Sequence, residues 1–266
     1  MTDEVDVDVD VDVKAPVRSV VRAVDLLVAL SSGPKPLRVI SAQVKLSKPT
    51  AYRILSSLKA KGMVIQDSKS GDYGLGPVCF QLMSAVLSGD VGFVLDAKPV
   101  LEALRDETGE TIAVHVRAGL SRICIQEFPS PHPVRYIAGL GAAAGIYVGS
   151  AGKTLLAFMP TDERERIFKD LRLTPQTNST ITSLDVLRAE LATVNERGFA
   201  ISHGERVDGA IGVSAPVLDT DGRALAAISV LGPADRLANR LTEAERLVVA
   251  AGKAVTASVQ EAFDAG

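Results

Sequence analysis

Residues 47–64 read SKPTAYRILSSLKAKGMV, and this stretch has the features of one short amphipathic helix. Ser47 supplies an N-cap oxygen, Pro49 is tolerated in the first turn, and Gly62 ends the helix after Lys61. One stripe is suited to packing and consists of Ala51, Ile54, Leu55 and Leu58. The opposite side is polar, mostly in the N-terminal half of the helix. A two-faced helix of this kind is what a recognition helix requires, although an ordinary amphipathic helix has the same pattern.

The flanking segments place this helix within a larger module. Apolar residues recur at helical steps from Val17 to Leu30, SSGP at 31–34 stops that run, and a second short helix is predicted over 37–44. Lys45 and Leu46 then form a tight turn, so the two short helices make a helix-turn-helix. After Gly62, the segments 63–66 and 73–75 flank a turn at 67–72. They predict a hairpin with a basic tip, which is a wing.

A winged helix-turn-helix places the N-terminal residues of its recognition helix in the DNA major groove, where they contact base edges. Wing residues contact phosphates. The predicted DNA-binding residues are therefore Ser47, Lys48, Thr50, Tyr52, Arg53 and, in the wing, Lys69.

The charge differs sharply between segments of the 266-residue chain, whose formal net charge is -3. Residues 1–13 contain six acids and no base, and residues 1–15 are predicted to be a disordered acidic tail. Residues 14–76 contain eleven bases and three acids, whereas the remainder carries -5. A basic module joined to an acidic one fits phosphate binding by the first module only. Basic segments are also often solvated surfaces, so charge alone does not decide the matter.

The composition limits the other classes of protein. The two cysteines, Cys79 and Cys124, are too few for a disulfide framework, and the N-terminus does not resemble a signal peptide. The uncharged run between Arg135 and Lys153 is interrupted by five glycines, which argues against a membrane span. We therefore expect a cytoplasmic protein with no membrane partner.

Beyond the winged helix-turn-helix, predicted over 16–76, an apolar helical linker is expected over 77–92 and a second domain over 93–266. The sequence of the second domain predicts a helix at 95–108 and then strands at 111–118, 120–128, 133–139 and 146–149. Helices at 151–170 and 183–197, a hairpin turning at 219–222 and a long helix starting at a Thr242–Glu245 capping box follow. This order predicts an α+β fold.

No catalytic, cofactor or metal site emerges from the sequence. GLGAAAG at 139–145 lacks the helix that a dinucleotide fingerprint must open, and Tyr147 stands where a P-loop needs glycine. The sequence contains no G-x-S-x-G nucleophile elbow. Its three histidines do not have the spacing that a metal site requires. His132 is expected in a solvated loop, and His115 could face a pocket or the opposite side of its strand. The protein is accordingly predicted not to be an enzyme.

The helix-turn-helix run at 47–64, followed by GSAGKTLLA at 149–157, GFAISHGE at 198–205 and APVLDTDGRALAAISVLGP at 215–233, resembles the IclR family of bacterial regulators. The resemblance covers residues 16–264. It implies a C-terminal effector domain with a central antiparallel sheet, similar to the GAF class. It also implies a dimer or tetramer on a palindromic double-stranded operator, with the linker helix contributing to dimerisation and a metabolite changing DNA occupancy.

The resemblance also implies an effector pocket. One wall is the helix start at Gly149, Ser150 and Ala151, where exposed amides attract anions. The other wall carries Ser202, Gly212, Ser214 and Ser229. In this chain SHG at 202–204 replaces an acidic cluster that is frequent in the family, and Gly212 stands where a cysteine is frequent. These departures predict a carboxylate or amide head group against the helix amides and an apolar or aromatic body beside Gly212.

The sequence thus predicts an effector-controlled regulator of a catabolic operon. Two alternatives stay open: a sensor or enzyme whose N-terminal module mediates protein contacts, and a DNA-binding protein without an effector. A metabolite panel in a thermal-shift assay separates the latter from a sensor. Operator, effector and the choice between repression and activation are left open.

Overall fold

The computed structural model describes residues 17–87, 92 and 97–264, and these divide into two compact units between residues 89 and 90. The acidic tail predicted at 1–15 lies outside the described residues, as do parts of the predicted linker. Each unit has its own hydrophobic core.

The N-terminal unit contains helices α1 (Arg18–Leu30), α2 (Leu37–Gln43) and α3 (Lys48–Ala60), followed by strands β1 (Val64–Gln66) and β2 (Tyr73–Leu75). The two strands pair antiparallel, and Lys45 takes a left-handed conformation in the turn between α2 and α3. The core consists of Leu26, Ala29, Leu30, Ile40, Ala51, Leu55, Val64 and Tyr73. These elements form the winged helix-turn-helix that the sequence predicted.

Helix α1 uses fewer of its apolar residues in this core than its periodicity suggests. Leu26, Ala29 and Leu30 are buried, whereas Val17, Val20, Val21, Val24 and Val28 are exposed. Helix α4 (Pro77–Leu87) follows the wing and is also apolar on its surface. Both helices therefore present side chains that the N-terminal unit leaves uncovered.

The second unit begins with α5 (Lys98–Thr108), β3 (Thr111–Ala118), β4 (Ser121–Phe128) and β5 (Ala143–Gly145). Helices α6 (Gly149–Ala157), α7 (Thr161–Asp170) and α8 (Leu184–Arg197) come next, then β6 (Ala200–His203), β7 (Ala210–Leu218) and β8 (Ala224–Pro233). The chain ends with α9 (Ala234–Leu237), a 3-10 turn (Ala238–Arg240) and α10 (Leu241–Asp264).

The six strands form one antiparallel sheet in the order β5-β4-β3-β8-β7-β6. One face packs against α5 and α10 through residues such as Leu101, Val248 and Ile228. The other face packs against α6, α7 and α8 through residues such as Leu155 and Leu187. Because successive residues of a strand point to opposite faces, each central strand serves both layers. The fold class is α+β with a central antiparallel sheet, as predicted.

Several element predictions within this unit were wrong. Residues 133–139 form a loop, and 146–148 form a turn rather than a strand, because β4 pairs with Ala143–Gly145. The predicted helix at 151–170 is two helices separated at Pro160, whose ring cannot continue a helix. The proposed capping box at Thr242 is also wrong, since α10 begins at Leu241 directly after the 3-10 turn.

None of the helices in the described part of the chain combines the length and the hydropathy that crossing a lipid bilayer requires.

Candidate functional site

Helix α3 exposes the polar face that the sequence assigned to DNA. The hydroxyls of Ser47 and Thr50 lie 2.8 Å apart at the N-terminus, and Ser47 Oγ accepts the N–H of Thr50, so both take part in capping. The side chains of Lys48, Tyr52 and Arg53 are exposed beside them. Ala51 and Leu55 on the opposite side are fully buried, which fixes the orientation of the polar face.

The wing is held in shape by its own side chains. Asp67 Oδ1 accepts the backbone N–H groups of Lys69 and Ser70 at 2.8 and 2.7 Å, and these bonds lower the pKa of Asp67. Gly71 closes the turn at a φ of 77°. Lys69 is exposed at the tip of this ordered turn. An ammonium group placed there can contact a phosphate.

A cavity in the second unit lies between the start of α6, the segment from β6 to β7, and strands β3 and β4. Its enclosed volume is about 30 Å³, and the space that includes its open mouth is about 400 Å³. Five of the seven residues predicted for the effector line it: Gly149, Ser150, Ala151, Ser202 and Gly212. Its other lining residues include His115, Arg122, Tyr136, Glu205, Arg206 and Leu231. A concave site with converging polar groups is typical of small-molecule binding.

The start of α6 is tightly packed and already holds an anion. A Cβ at Gly152 would lie 2.0 Å from the carbonyl oxygen of Ile146, so only glycine allows the helix to approach that turn. The Glu205 carboxylate accepts the N–H of Gly149 at 3.0 Å and pairs with the buried Lys153 ammonium at 2.6 Å. The Glu205 side chain thus occupies the Gly149 amide, which the sequence assigned to the effector.

Ser214 and Ser229 lie behind the cavity wall and not in the lining. Both are fully buried, and Ser214 Oγ lies 2.7 Å from both Ser150 Oγ and Ser229 Oγ. Only Ser150 in this hydroxyl chain reaches the cavity. The two buried serines therefore position Ser150 instead of facing a ligand directly.

The free space expected beside Gly212 is absent. A Cβ built there would lie 2.7 Å from Ser150 Oγ and 2.9 Å from Leu231 Cδ2. Glycine at this position lets the start of α6 approach strand β7. The expectation of an effector body filling that space was wrong, because two side chains of the protein fill it.

The opposite side of the cavity is cationic. Arg122 on β4 is only 5% exposed, and its Nε donates to the carbonyl oxygen of Val148 over 3.4 Å. Burial, and then the nearby Arg206, lower the pKa of Arg122 to about 10, so it keeps its charge at neutral pH. Arg206 Nη1 donates to the hydroxyl of Tyr136 at 3.2 Å. Two guanidinium groups thus line one small site.

His115 faces this cavity, which decides between the two orientations that its strand allowed. The register of β3 against β4 shifts between Val114 and His115, and such a bulge re-aims the following side chain. His115 is 2% exposed, and its Nδ1 has no hydrogen-bond partner in the described part of the chain. Burial, followed by Arg122 and Arg206, holds the pKa of His115 well below its usual range, so the ring is neutral.

Sequence reasoning missed the charged part of the site. We expected fewer charges where SHG stands at 202–204, yet Glu205 and Arg206 follow immediately and both line the cavity. Arg122 was detectable in principle, because it is two residues from Cys124 and therefore lies on the same face of β4, where both side chains are buried. Lys153 lies in the GSAGKT segment at 149–154, which ends like a P-loop, and no local pattern there indicates its ion pair with Glu205.

Comparisons with known proteins agree with this two-unit architecture. A family model described as the IclR helix-turn-helix domain matches residues 19–68, and one described as bacterial transcriptional regulator IclR C-terminal matches residues 89–257. The regulator BhcR of Paracoccus denitrificans is 30% identical over 94% of this chain and 90% of its own length. The Escherichia coli repressor IclR is 29% identical over 90% of this chain and 89% of its own.

Solved structures share the fold. An IclR-type regulator from Alicyclobacillus acidocaldarius superposes with a TM-score of 0.74 at 24% identity, covering 91% of this chain and 99% of its own. An IclR homologue from Microbacterium hydrocarbonoxydans, crystallised with 4-hydroxybenzoate, gives 0.75 at 20% identity over 91% and 98%.

The fold and the family models define a DNA-binding transcriptional regulator with a winged helix-turn-helix. Its relatives are regulators and not enzymes. The chain belongs to the IclR family of bacterial transcriptional regulators.

Proposed function

We propose that this cytoplasmic regulator binds an operator through α3 and the wing, and that a small effector bound in the cavity of the second unit changes its DNA occupancy. The observation that carries the proposal is the cavity itself, since five residues that the family resemblance implies for an effector line one concave site with polar groups. A catabolic operon is the proposed target.

For DNA, we assign base contacts to the exposed N-terminal half of α3. Lys48, Tyr52 and Arg53 present their side chains to the groove, while Ser47 and Thr50 cap the helix and reach the backbone of the DNA. Lys69 in the wing contacts phosphate.

For the effector, we propose a carboxylate or amide with an apolar or aromatic body. A homologue with the same fold was crystallised with 4-hydroxybenzoate, which supports an organic acid as the effector. Its head group binds away from the Gly149 amide, because the Glu205 carboxylate already accepts that N–H.

We also propose that the protein acts as a homo-oligomer, either a dimer or a tetramer. Phe80, Leu82 and Met83 on α4 are each more than half exposed, and Phe80 is 73% exposed. Apolar side chains clustered on one surface helix favour a partner. A two-fold dimer would match two operator half-sites.

The proposal is tested with full-length protein and DNA fragments taken from the regions flanking its gene. Fluorescence anisotropy is expected to find a fragment bound specifically at physiological salt. A panel of carboxylic acids and amides is then screened by thermal shift, since a ligand of the native state raises the melting temperature. Binders are returned to the anisotropy assay, where they should change operator affinity.

Two outcomes would contradict the proposal. Equal affinity for all flanking and unrelated fragments would argue against operator recognition. Operator binding that no stabilising compound alters would favour the effector-independent alternative.

A further inference from the structure

Arg122 carries a buried charge without a carboxylate partner. Among residues 17–87 and 97–264, no carboxylate oxygen lies within ion-pair distance of its guanidinium, and the 3.4 Å contact to Val148 is its one hydrogen bond. A buried cation without a counter-ion is costly to a fold. Its position in the lining therefore indicates that an anion from outside the protein completes the site.

A second cation faces the same space. Arg206 is held by the Tyr136 hydroxyl and lies close enough to Arg122 to lower its pKa. The Glu205 carboxylate is near enough to raise the pKa of Arg122, but it is hydrogen-bonded to Gly149 and Lys153 and forms no ion pair with either guanidinium in the described part of the chain. Planar guanidinium groups bind carboxylates through paired hydrogen bonds, so this side of the cavity suits a carboxylate.

His115 adds a second recognition element. Its buried Nδ1 lacks a partner in the part of the chain that the structure describes, although buried polar atoms are normally satisfied. A neutral imidazole nitrogen donates or accepts according to its tautomer. A ligand hydroxyl satisfies it in both cases, since a hydroxyl can accept or donate.

We propose that the effector is a hydroxy acid, with its carboxylate bound by Arg122 and Arg206 and its hydroxyl hydrogen-bonded to Nδ1 of His115. This inference rests on the proposed function only in taking the cavity as the effector site. It states that the effector is an acid and not an amide, whereas the proposed function allows both.

The test uses two series of probes with full-length protein, each containing a hydroxy acid, the acid without the hydroxyl, and the hydroxy amide. The aromatic series is 4-hydroxybenzoate, benzoate and 4-hydroxybenzamide. The aliphatic series is 3-hydroxybutyrate, butyrate and 3-hydroxybutyramide. Affinities are measured by calorimetry at constant ionic strength set with sodium chloride, and inorganic phosphate is included as a competing anion.

In at least one series we expect the hydroxy acid to bind about tenfold or more tightly than its amide, as charge-assisted hydrogen bonds imply. Arg206→Gln should remove that preference, and Arg122→Met should do the same if it folds. His115→Phe should equalise the hydroxy acid and the plain acid while leaving acid binding in place. Arg117→Gln, a surface arginine paired with Glu163, is the matched control and should change nothing.

The proposal is overturned if no hydroxy acid binds above the chloride background, if amides bind as tightly as acids, or if Arg206→Gln keeps the preference. Phosphate binding tighter than both acids would also overturn it. Anisotropy with operator DNA separates the two claims. Hydroxy-acid binding without any change in operator affinity leaves this site intact and contradicts the regulatory function.

Discussion

The Glu205 carboxylate lies at the N-terminus of α6 and accepts the N–H of Gly149 at 3.0 Å, although the two residues are 56 positions apart in the chain. The same carboxylate pairs with Lys153, one turn further along the helix, and the Lys153 ammonium also contacts Glu190. This negative charge opposes the positive end of the helix dipole. It ties the start of α6 to the segment after β6, and so joins two walls of the cavity.

Replacing Glu205 should therefore destabilise the second unit. Glu205→Gln keeps the size of the side chain, but among the described residues it leaves the partly exposed Glu190 as the one carboxylate partner of the buried Lys153, beside the carbonyl oxygen of Ile201. We expect a loss of about 3 kcal/mol in the free energy of unfolding, measured by urea denaturation.

Glu190→Gln is the control for this prediction, and it should cost clearly less because Lys153 then keeps Glu205. Combining Glu205→Gln with Lys153→Met should recover part of the loss, since no buried cation remains. A Glu205→Gln variant as stable as the parent would show that the ion pair does not stabilise the unit.

The helices and strands of the N-terminal unit could be predicted because their determinants are local. Helical periodicity, the Ser47 cap and the Gly62 stop all act within a few residues. The charged cavity wall depends on tertiary contacts, such as Glu205 with Gly149, that no local pattern encodes.

In the second unit, strand pairing and the direction of side chains could not be predicted from the sequence pattern alone. The bulge before His115 breaks the alternation from which its direction would be inferred. The loop at 133–139 has apolar residues at strand-like spacing, but Val134 and Ile137 are exposed and β4 pairs elsewhere. A segment with alternating apolar residues forms a strand only where a partner strand is available for pairing.

The recognition helix gives a prediction about base preference. Arg53 is exposed on α3 beside Lys48, and a guanidinium there can bond guanine acceptors in the major groove. Arg53→Ala should weaken operator binding by about 1–3 kcal/mol and relax the preference at one base pair of each half-site. Anisotropy with single-base operator variants measures both effects.

Lys169→Ala is a charge-matched control, because Lys169 is exposed on α7 in the other unit. It should leave operator affinity unchanged. If Arg53→Ala bound every operator variant with the parent's affinities, Arg53 would not be a base-reading residue.

The wing gives a different signature. Lys69 sits at the tip of the turn that Asp67 orders, and a phosphate contact there should not depend on sequence. Lys69→Ala should weaken specific and nonspecific binding alike and reduce the slope of log K against log salt by about 0.9. A loss confined to one operator sequence would argue that the wing reads bases.

Helix α4 should contribute to oligomer formation. Phe80 is 73% exposed, and burying such a side chain against a second copy contributes about 1.5–3 kcal/mol per protomer. Phe80→Asp should shift the protein toward smaller species in light scattering coupled to size exclusion. Gln81→Asp adds the same charge at the neighbouring exposed position and should not, so equal behaviour of the two variants would contradict this assignment.

The neutral state of His115 makes stability depend on pH. Burial, and after it Arg122 and Arg206, hold the pKa of His115 in the folded protein well below the usual 6.5, which the unfolded chain retains. Above pH 6.5 the imidazole is neutral in both states and adds no dependence. As the pH falls below 6.5, the unfolded state takes up a proton that the folded state does not, so the free energy of unfolding falls by up to about 1.4 kcal/mol per pH unit.

Urea denaturation of the parent and of His115→Gln between pH 5 and 7 isolates this effect, because His132 and His203 are present in both proteins. The parent should lose stability more steeply than the variant below pH 6.5, and the two should run parallel above it. Parallel curves over the whole range would mean that His115 takes up a proton equally in the folded and unfolded states. In that case an anion or water near Nδ1 would have to stabilise the imidazolium against both arginines.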